Sequence, residues 1–216
     1  AWELRINSSE INHVFASEQQ FFVTMRSDGQ ETIEIRWDPL LVDAGASNPH
    51  RLAADGTPYR LQTGPAPAWV FTPDFVVFAN TASQTVRRVD SSTFDEYPWY
   101  RHPRHTPSCM TFFLPVNADE LEGRYLWEVE SHDDSTIRLR GVPCDSDVAD
   151  SISLVEVELS ASTCLPQTIR CLDASGSHEH IMQMVERVRP VGLTQELILE
   201  AYATFAPAPE KAGGMQ

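Results

Sequence analysis

The sequence predicts a mainly β protein with few helices, an α+β chain built on antiparallel strands. Three observations carry that expectation. Short apolar or alternating segments recur between turn signals roughly ten residues apart, the spacing of an antiparallel sheet. The runs "SISLVEVELS", "LPQTIRCLD" and "HIMQMVERV" alternate or nearly alternate and are separated by turn residues, so they read as a three-stranded meander. Helical periodicity, by contrast, is confined to two short stretches.

Taken in order, "WELRI", "EINHVFA", "QFFVTMR" and "TIEIRW" are β-rich, divided by "NSS", "SEQ" and "SDGQE". Ser27-Asp28-Gly29 supplies the positive φ and local hydrogen bonding of a hairpin turn. Asp38 to Pro67, rich in Ala, Gly, Pro and Asp, reads as a long loop with one ordered piece at Tyr59 to Gln62. Strands resume at "AWVFTPDFVVFANTASQTVRRVD", with turns at Pro73-Asp74 and Asn80 to Ser83. From Ser91 to Ser108 the three prolines Pro98, Pro103 and Pro107 forbid a continuous helix or central strand. "VNADELEGRY" offers Asn117 as an N-cap and early acidic side chains, which predicts a short helix at Ala118 to Glu122 ended by Gly123. Strands "RYLWEVESH" and "TIRLRGV" lead into the meander. There Val155, Val157 and Leu159 share one face, and Ile152 and Leu154 begin the other. On the last strand Met182, Met184 and Val188 oppose Ile181 and Val185. "LTQELILEAYATF" then predicts an amphipathic helix capped by Thr194, with Leu193, Leu197, Ala201 and Phe205 on one face. Residues 1–206 are expected to form one domain and 207–216, "PAPEKAGGMQ", a flexible tail.

Whole-chain quantities narrow the function. A chain of 216 residues that is 42% hydrophobic can bury a sizeable core. A net charge of −15 with a single lysine, Lys211, argues against a nucleic-acid backbone or an anionic lipid surface as the main partner. No apolar run approaches the roughly 20 residues of a membrane-spanning helix. The chain begins at "AWELR", with neither an initiating Met nor a basic-then-apolar leader, which is compatible with a secretion signal already removed.

Chemistry-bearing motifs are few. Four cysteines, Cys109, Cys144, Cys164 and Cys171, are compatible with two disulfides in an oxidising compartment, and the plainer expectation is buried free thiols with one bridge. Cys164 and Cys171, on one extended segment, would stand roughly 23 Å apart and could not bridge each other. His178 and His180 share a strand face but no third ligand accompanies them, so no metal is expected. Nucleophile elbows, phosphate loops, zinc-helix motifs and dinucleotide fingerprints are missing from the sequence. "SHDD" at Ser131 to Asp134 reads as a turn, and pairs such as Asp145/Asp147 carry little in a chain with 31 acidic residues. The expectation is a protein that is not an enzyme and needs no cofactor. "YPWYRHPRH" concentrates aromatic and cationic groups, which makes Trp99, Tyr100, Arg101 and Arg104 candidates for contact with a partner.

The order "PAWVFTPDFVVF", "FFLPVNADELEGRYLWEVE", "IRLRGVP" and "VEVELSASTCLPQTIRCLDASGSHEHIMQMVERV" resembles secreted bacterial domains with the LolA-like fold, that of the periplasmic outer-membrane lipoprotein carrier. The matching pieces are Trp69, Phe71 and Pro73, then Asn117 to Leu121, then Leu165-Pro166 with Asp173 to Gly176. "EIRWDP" looks like the Arg-Trp strand end of such sequences. The likeness covers roughly Arg60 to Pro190. It implies a curved antiparallel sheet, a half-barrel closed by short helices, in a periplasmic or otherwise exported domain. Its concave face would be filled by side chains or by acyl chains. Under that resemblance Trp69, Phe71, Trp127, Val157, Ile169 and Met184 are the candidates to line a site for a lipid or a lipoprotein acyl chain. The alternative is a noncatalytic accessory subunit of a cell-envelope assembly, with a filled interior and long loops as contacts. The chain lacks an evident amphipathic N-terminal lid helix, and its two long loops fall at the mouth of the supposed cavity.

Overall fold

The alternating segments do become strands, and their order sets the first long strand beside the last. The computed structural model describes residues 1–43, 45–93, 112–113 and 118–208. β1 (Trp2–Asn12), β2 (Ser17–Ser27) and β3 (Ile33–Pro39) form an antiparallel meander. It continues beyond β3 through β6 (Pro67–Phe71), β7 (Phe75–Asn80) and β8 (Thr85–Asp90). Between β3 and β6 the chain makes a side hairpin of β4 (Ser47–Leu52) and β5 (Pro58–Gln62), with β5 parallel to the start of β2. A second meander comprises β9 (Tyr125–His132), β10 (Thr136–Pro143), β11 (Ile152–Ser160), β12 (Pro166–Asp173) and β13 (His178–Val188). Antiparallel pairing of β1 with β13, from Glu3↔Val188 to Asn12↔His178, fuses the two halves. β14 (Ala206–Pro207) adds in parallel to β8 and completes one open, curved sheet of 14 strands.

Helices among the described residues are short: α1 (Ala118–Arg124), α2 (Ser146–Ala149) and α3 (Gln195–Glu200), and Ser91–Thr93 form a 3₁₀ turn. Strand alternation sorts the sheet into two faces. On β6 and β7, Trp69, Phe71, Val76 and Phe78 join the main core with Ile6, Val23, Val155, Val157 and Ile169. Val148 of α2, Leu121 of α1 and Phe113 cover that face. Ala68, Val70, Phe75, Val77 and Ala79 point the other way and pack under Ile198 and Tyr202.

Local chemistry explains the connections. Gly29 takes φ 86° in the β2–β3 turn, and a Cβ there would lie 2.6 Å from the Ala1 nitrogen, so both conformation and space require glycine. Asp133 Oδ1 accepts from the Ser135 and Thr136 amides, which makes "SHDD" the turn its composition suggests.

Several expectations are corrected. β1 runs unbroken through Asn7-Ser8-Ser9, because both its edges are hydrogen-bonded and strand pairing overrides the turn preference of those residues. β4 occupies what reads as loop. α1 extends through Gly123 to Arg124. α2 forms where Asp145 caps it, its side chain accepting from the Asp147 amide. The Thr194 cap holds and Leu193 and Phe205 pack against the second core as expected, but the helix ends at Glu200, Leu197 and Ala201 are exposed, and Ile198 and Tyr202 are the residues buried there. A register shift between Ile152 and Leu154 turns Ile152 onto the core side with Val155.

Ile6, fully buried at the joint between the halves, should be a stability anchor. Ile6→Ala is expected to cost about 2–5 kcal/mol in urea unfolding. Leu126→Ala, on the exposed side of β9, should stay within about 0.5 kcal/mol of wild type.

Candidate functional site

A cavity of about 420 Å³ opens on the main core face where the halves meet. Its origin is visible in one cross-strand row. Phe21 on β2, Ser8 on β1, Met182 on β13, Ile169 on β12, Val157 on β11 and Leu139 on β10 stand side by side. Every member is large and apolar except Ser8, so the row has a gap at β1. Trp37 and Trp69, edge to face with ring centroids 6.1 Å apart, wall the gap on the first half. Ile152, Cys171 and Met182 wall it from the second meander, and Pro65 and Pro67 narrow it beside β6.

The ionisable lining groups gather at one end. Glu10 and His180 pair across β1 and β13, with Glu10 Oε1 3.9 Å from His180 Nδ1. Asp173 closes the β12–β13 turn: Oδ1 accepts from the His178 amide at 2.9 Å and Oδ2 from the Ser175 hydroxyl at 2.6 Å. Partial desolvation opposes its ionisation, but the bonds from Ser175 and His178 prevail and hold the carboxyl well below its ordinary range.

Of the sequence-predicted lining residues, Trp69 lines this cavity. Val157 and Ile169 continue the Ser8 row away from it as fully packed core, and Phe71 is likewise buried core. Met184 is half-buried beside Ile6 in the neighbouring row. Trp127 belongs to a separate aromatic group with Phe112 and Tyr125. Its ring lies over Gly141, where a Cβ would approach to 2.7 Å, and its indole N–H donates to the Leu121 carbonyl at 3.3 Å. Burial in that group pushes the Tyr125 hydroxyl up to about 12. Trp99, Tyr100, Arg101 and Arg104 lie outside the described residues. Sequence reading does not assemble Ser8, Phe21, Trp37, Ile152 and Met182 as a set, because only the strand order brings them together; Ile152 and Met182 are legible as apolar strand faces and Trp37 through "EIRWDP".

The opposite face of the sheet holds three buried glutamates, each held by an arginine and a second polar side chain. Glu34 takes Arg26 and the Tyr202 hydroxyl, Glu18 takes Arg51 and Asn48, and Glu179 takes Arg170 and His13. The Tyr202 hydroxyl, buried first and then facing the Glu34 charge, is held far above the usual phenol range. Among the described residues no group of three or more His, Cys, Asp or Glu is arranged to hold a metal. Cys171 is disulfide-bonded, whereas Cys144 and Cys164 are free. Both free thiols are exposed rather than buried, and Cys164 sits in the β11–β12 turn with φ 54° and not on the extended strand.

No protein-family model and no curated protein matches the sequence. Solved structures with similar shape include an uncharacterized conserved protein from Thermus thermophilus, at 11% identity and TM-score 0.49 over 95% of this chain and 87% of that one. A LolA superfamily protein from Nitrosomonas europaea is similar at 12% identity and TM-score 0.39, over 93% and 90% of the two chains. The MucA/MucB complex from Pseudomonas aeruginosa gives 10% identity and TM-score 0.42 over 91% of this chain and 54% of that one.

Two outcomes follow from the site. Gly141→Ala should displace Trp127, lowering the unfolding temperature and red-shifting tryptophan emission, since the added Cβ has no room beneath the ring. Asp173, with its folded-state pKa depressed, contributes stability above the ordinary carboxylate value of 3.8 that is lost as pH falls through the depressed value. Asp173→Asn should therefore be less stable than wild type at neutral pH, with the gap in urea midpoint closing under acid.

Proposed function

We propose that residues 1–206 act as a noncatalytic cell-envelope domain that binds an acyl chain, of a lipid or a lipoprotein, in the Ser8 cavity. The observation that carries this reading is the gap at Ser8 in an otherwise bulky apolar row, walled by Trp37, Trp69, Ile152 and Met182. At about 420 Å³ it falls in the range of roughly 300–1,000 Å³ usual for small-molecule sites, with apolar walls and a few polar groups at one end. An apolar tail would gain about 0.8 kcal/mol per methylene removed from water, whereas an ionised head would stay at the Glu10–His180 end. Adaptable Met182 suits tails of differing shape. No helix among the described residues is long and apolar enough to cross a membrane.

Brominated fatty acid added to purified protein should quench the emission of Trp37 and Trp69, and Trp37→Phe/Trp69→Phe should remove most of that quenching. Ser8→Phe should fill the gap and lower uptake at least about tenfold while keeping a cooperative unfolding transition. Equal uptake by wild type and a folded Ser8→Phe would overturn the reading.

A further inference from the structure

The turns at the polar end of the cavity carry apolar side chains with no partner in either core. His13 N–H donates to the Ser177 carbonyl at 2.8 Å and Arg60 N–H to the Ala16 carbonyl at 3.0 Å. Leu40 N–H donates to the Gln20 carbonyl at 3.0 Å and Leu61 N–H to the Ala46 carbonyl at 2.9 Å. These bonds hold the β1–β2 turn, the β12–β13 turn and the loop after β3 at one end of the sheet. The same end supplies Glu10, Asp173 and His180 to the cavity. From it project Val14, 70% exposed, Phe15, 74%, and Leu41, fully exposed.

This exposure is built in. The amides of Val14 and Phe15 both donate to Asn12 Oδ1, at 3.0 and 3.1 Å, which fixes the turn with the two side chains outward. Ala16 follows in the left-handed region at φ 45°. Val14 and Phe15 project from one turn and Leu41 from the loop after β3, so the exposed apolar groups sit on two connections at the mouth of the cavity. Groups placed in this way fit a deformable apolar medium. Neither "HVFA", residues 13–16, nor "LLVDAGA", residues 40–46, contains Lys or Arg, and the whole chain carries −15, so attraction to anionic headgroups is not what would hold it.

We infer that Val14, Phe15 and Leu41 form an insertion rim that docks the cavity end onto an electrically neutral, zwitterionic lipid surface, from which an acyl chain enters beside Ser8. The inference rests on the acyl-chain reading of the cavity, and two separate measurements keep the two apart. In flotation with pure phosphatidylcholine vesicles, wild type should rise with the lipid. Phe15→Ser/Leu41→Ser should lose at least about tenfold in bound fraction. The same double variant should still take up brominated fatty acid dispersed below its micellar concentration as wild type does, since neither residue lines the cavity. Uptake without flotation of wild type overturns the rim. So does flotation with phosphatidylglycerol vesicles only, or a salt-resistant dimer that the double variant dissociates. Flotation without uptake supports the rim and removes the acyl-chain reading instead.

Discussion

The pairing of β1 with β13 is the constraint on which everything else hangs. Most pairings within each meander join neighbouring segments of the chain, but this pair joins residue 3 to residue 188 and so closes nearly the whole described chain. The entropy of such a closure grows only logarithmically with length, about 0.6 kcal/mol per doubling, so a long ladder flanked by fully buried Ile6 can offset it. Because β1 also pairs with β2, its two edges are both satisfied, and it becomes the central strand of the sheet. Only this arrangement sets Ser8 between Phe21 and Met182 and makes a gap there.

Where the sheet is covered on both faces, the chain meets a difficulty that the buried glutamates address. Behind β2 and β3 the chain buries Glu34 completely, and an unpaired charge there would be strongly destabilising. Arg26 and the Tyr202 hydroxyl supply its partners, and Tyr202 lies just past α3, so the hydrogen bond that its hydroxyl donates to Glu34 fixes where the C-terminal segment docks. The apolar cluster that Ile198 shares with Val70 and Val77 would tolerate sliding, whereas a buried acid that must meet one hydroxyl would not. Glu179 plays the corresponding part nearer the cavity end, tying β13 to Arg170 on β12 and to His13 in the β1–β2 turn.

Most strands were legible because their signals are local: alternation in "VEVEL", glycine at position 29, aspartate at 133. What stayed hidden depends on pairing. Asn7-Ser8-Ser9 reads as a turn until neighbours on both sides are known. The phase of α3 looks equally apolar on two faces, since Leu193, Leu197 and Phe205 compete with Ile198 and Tyr202, and the sheet decides. Ile152 changes face through a register shift that leaves no mark in composition. For the site, Trp69 could be named because a large aromatic on a strand draws notice. Ser8 could not, since its importance lies in being small where its neighbours are large, and those neighbours come from β2 and β13.

That contrast bears on how much of the sheet's concave face is available to a ligand. Val157, Ile169 and Phe71 are packed to near-complete burial, and Val148 with Leu121 covers them, so a filled interior describes most of this face. Among the described residues, the cavity on this face lies at the gap on β1 and opens toward the end where Glu10 and His180 stand. On the acyl-chain reading proposed above, a gap of this kind admits a single chain end beside Ser8 and not several tails spread across the sheet. A filled core and a ligand site are then not rival descriptions of the same face: the core fixes the walls in place, and the cavity persists because rigid neighbours cannot collapse into the space a serine leaves.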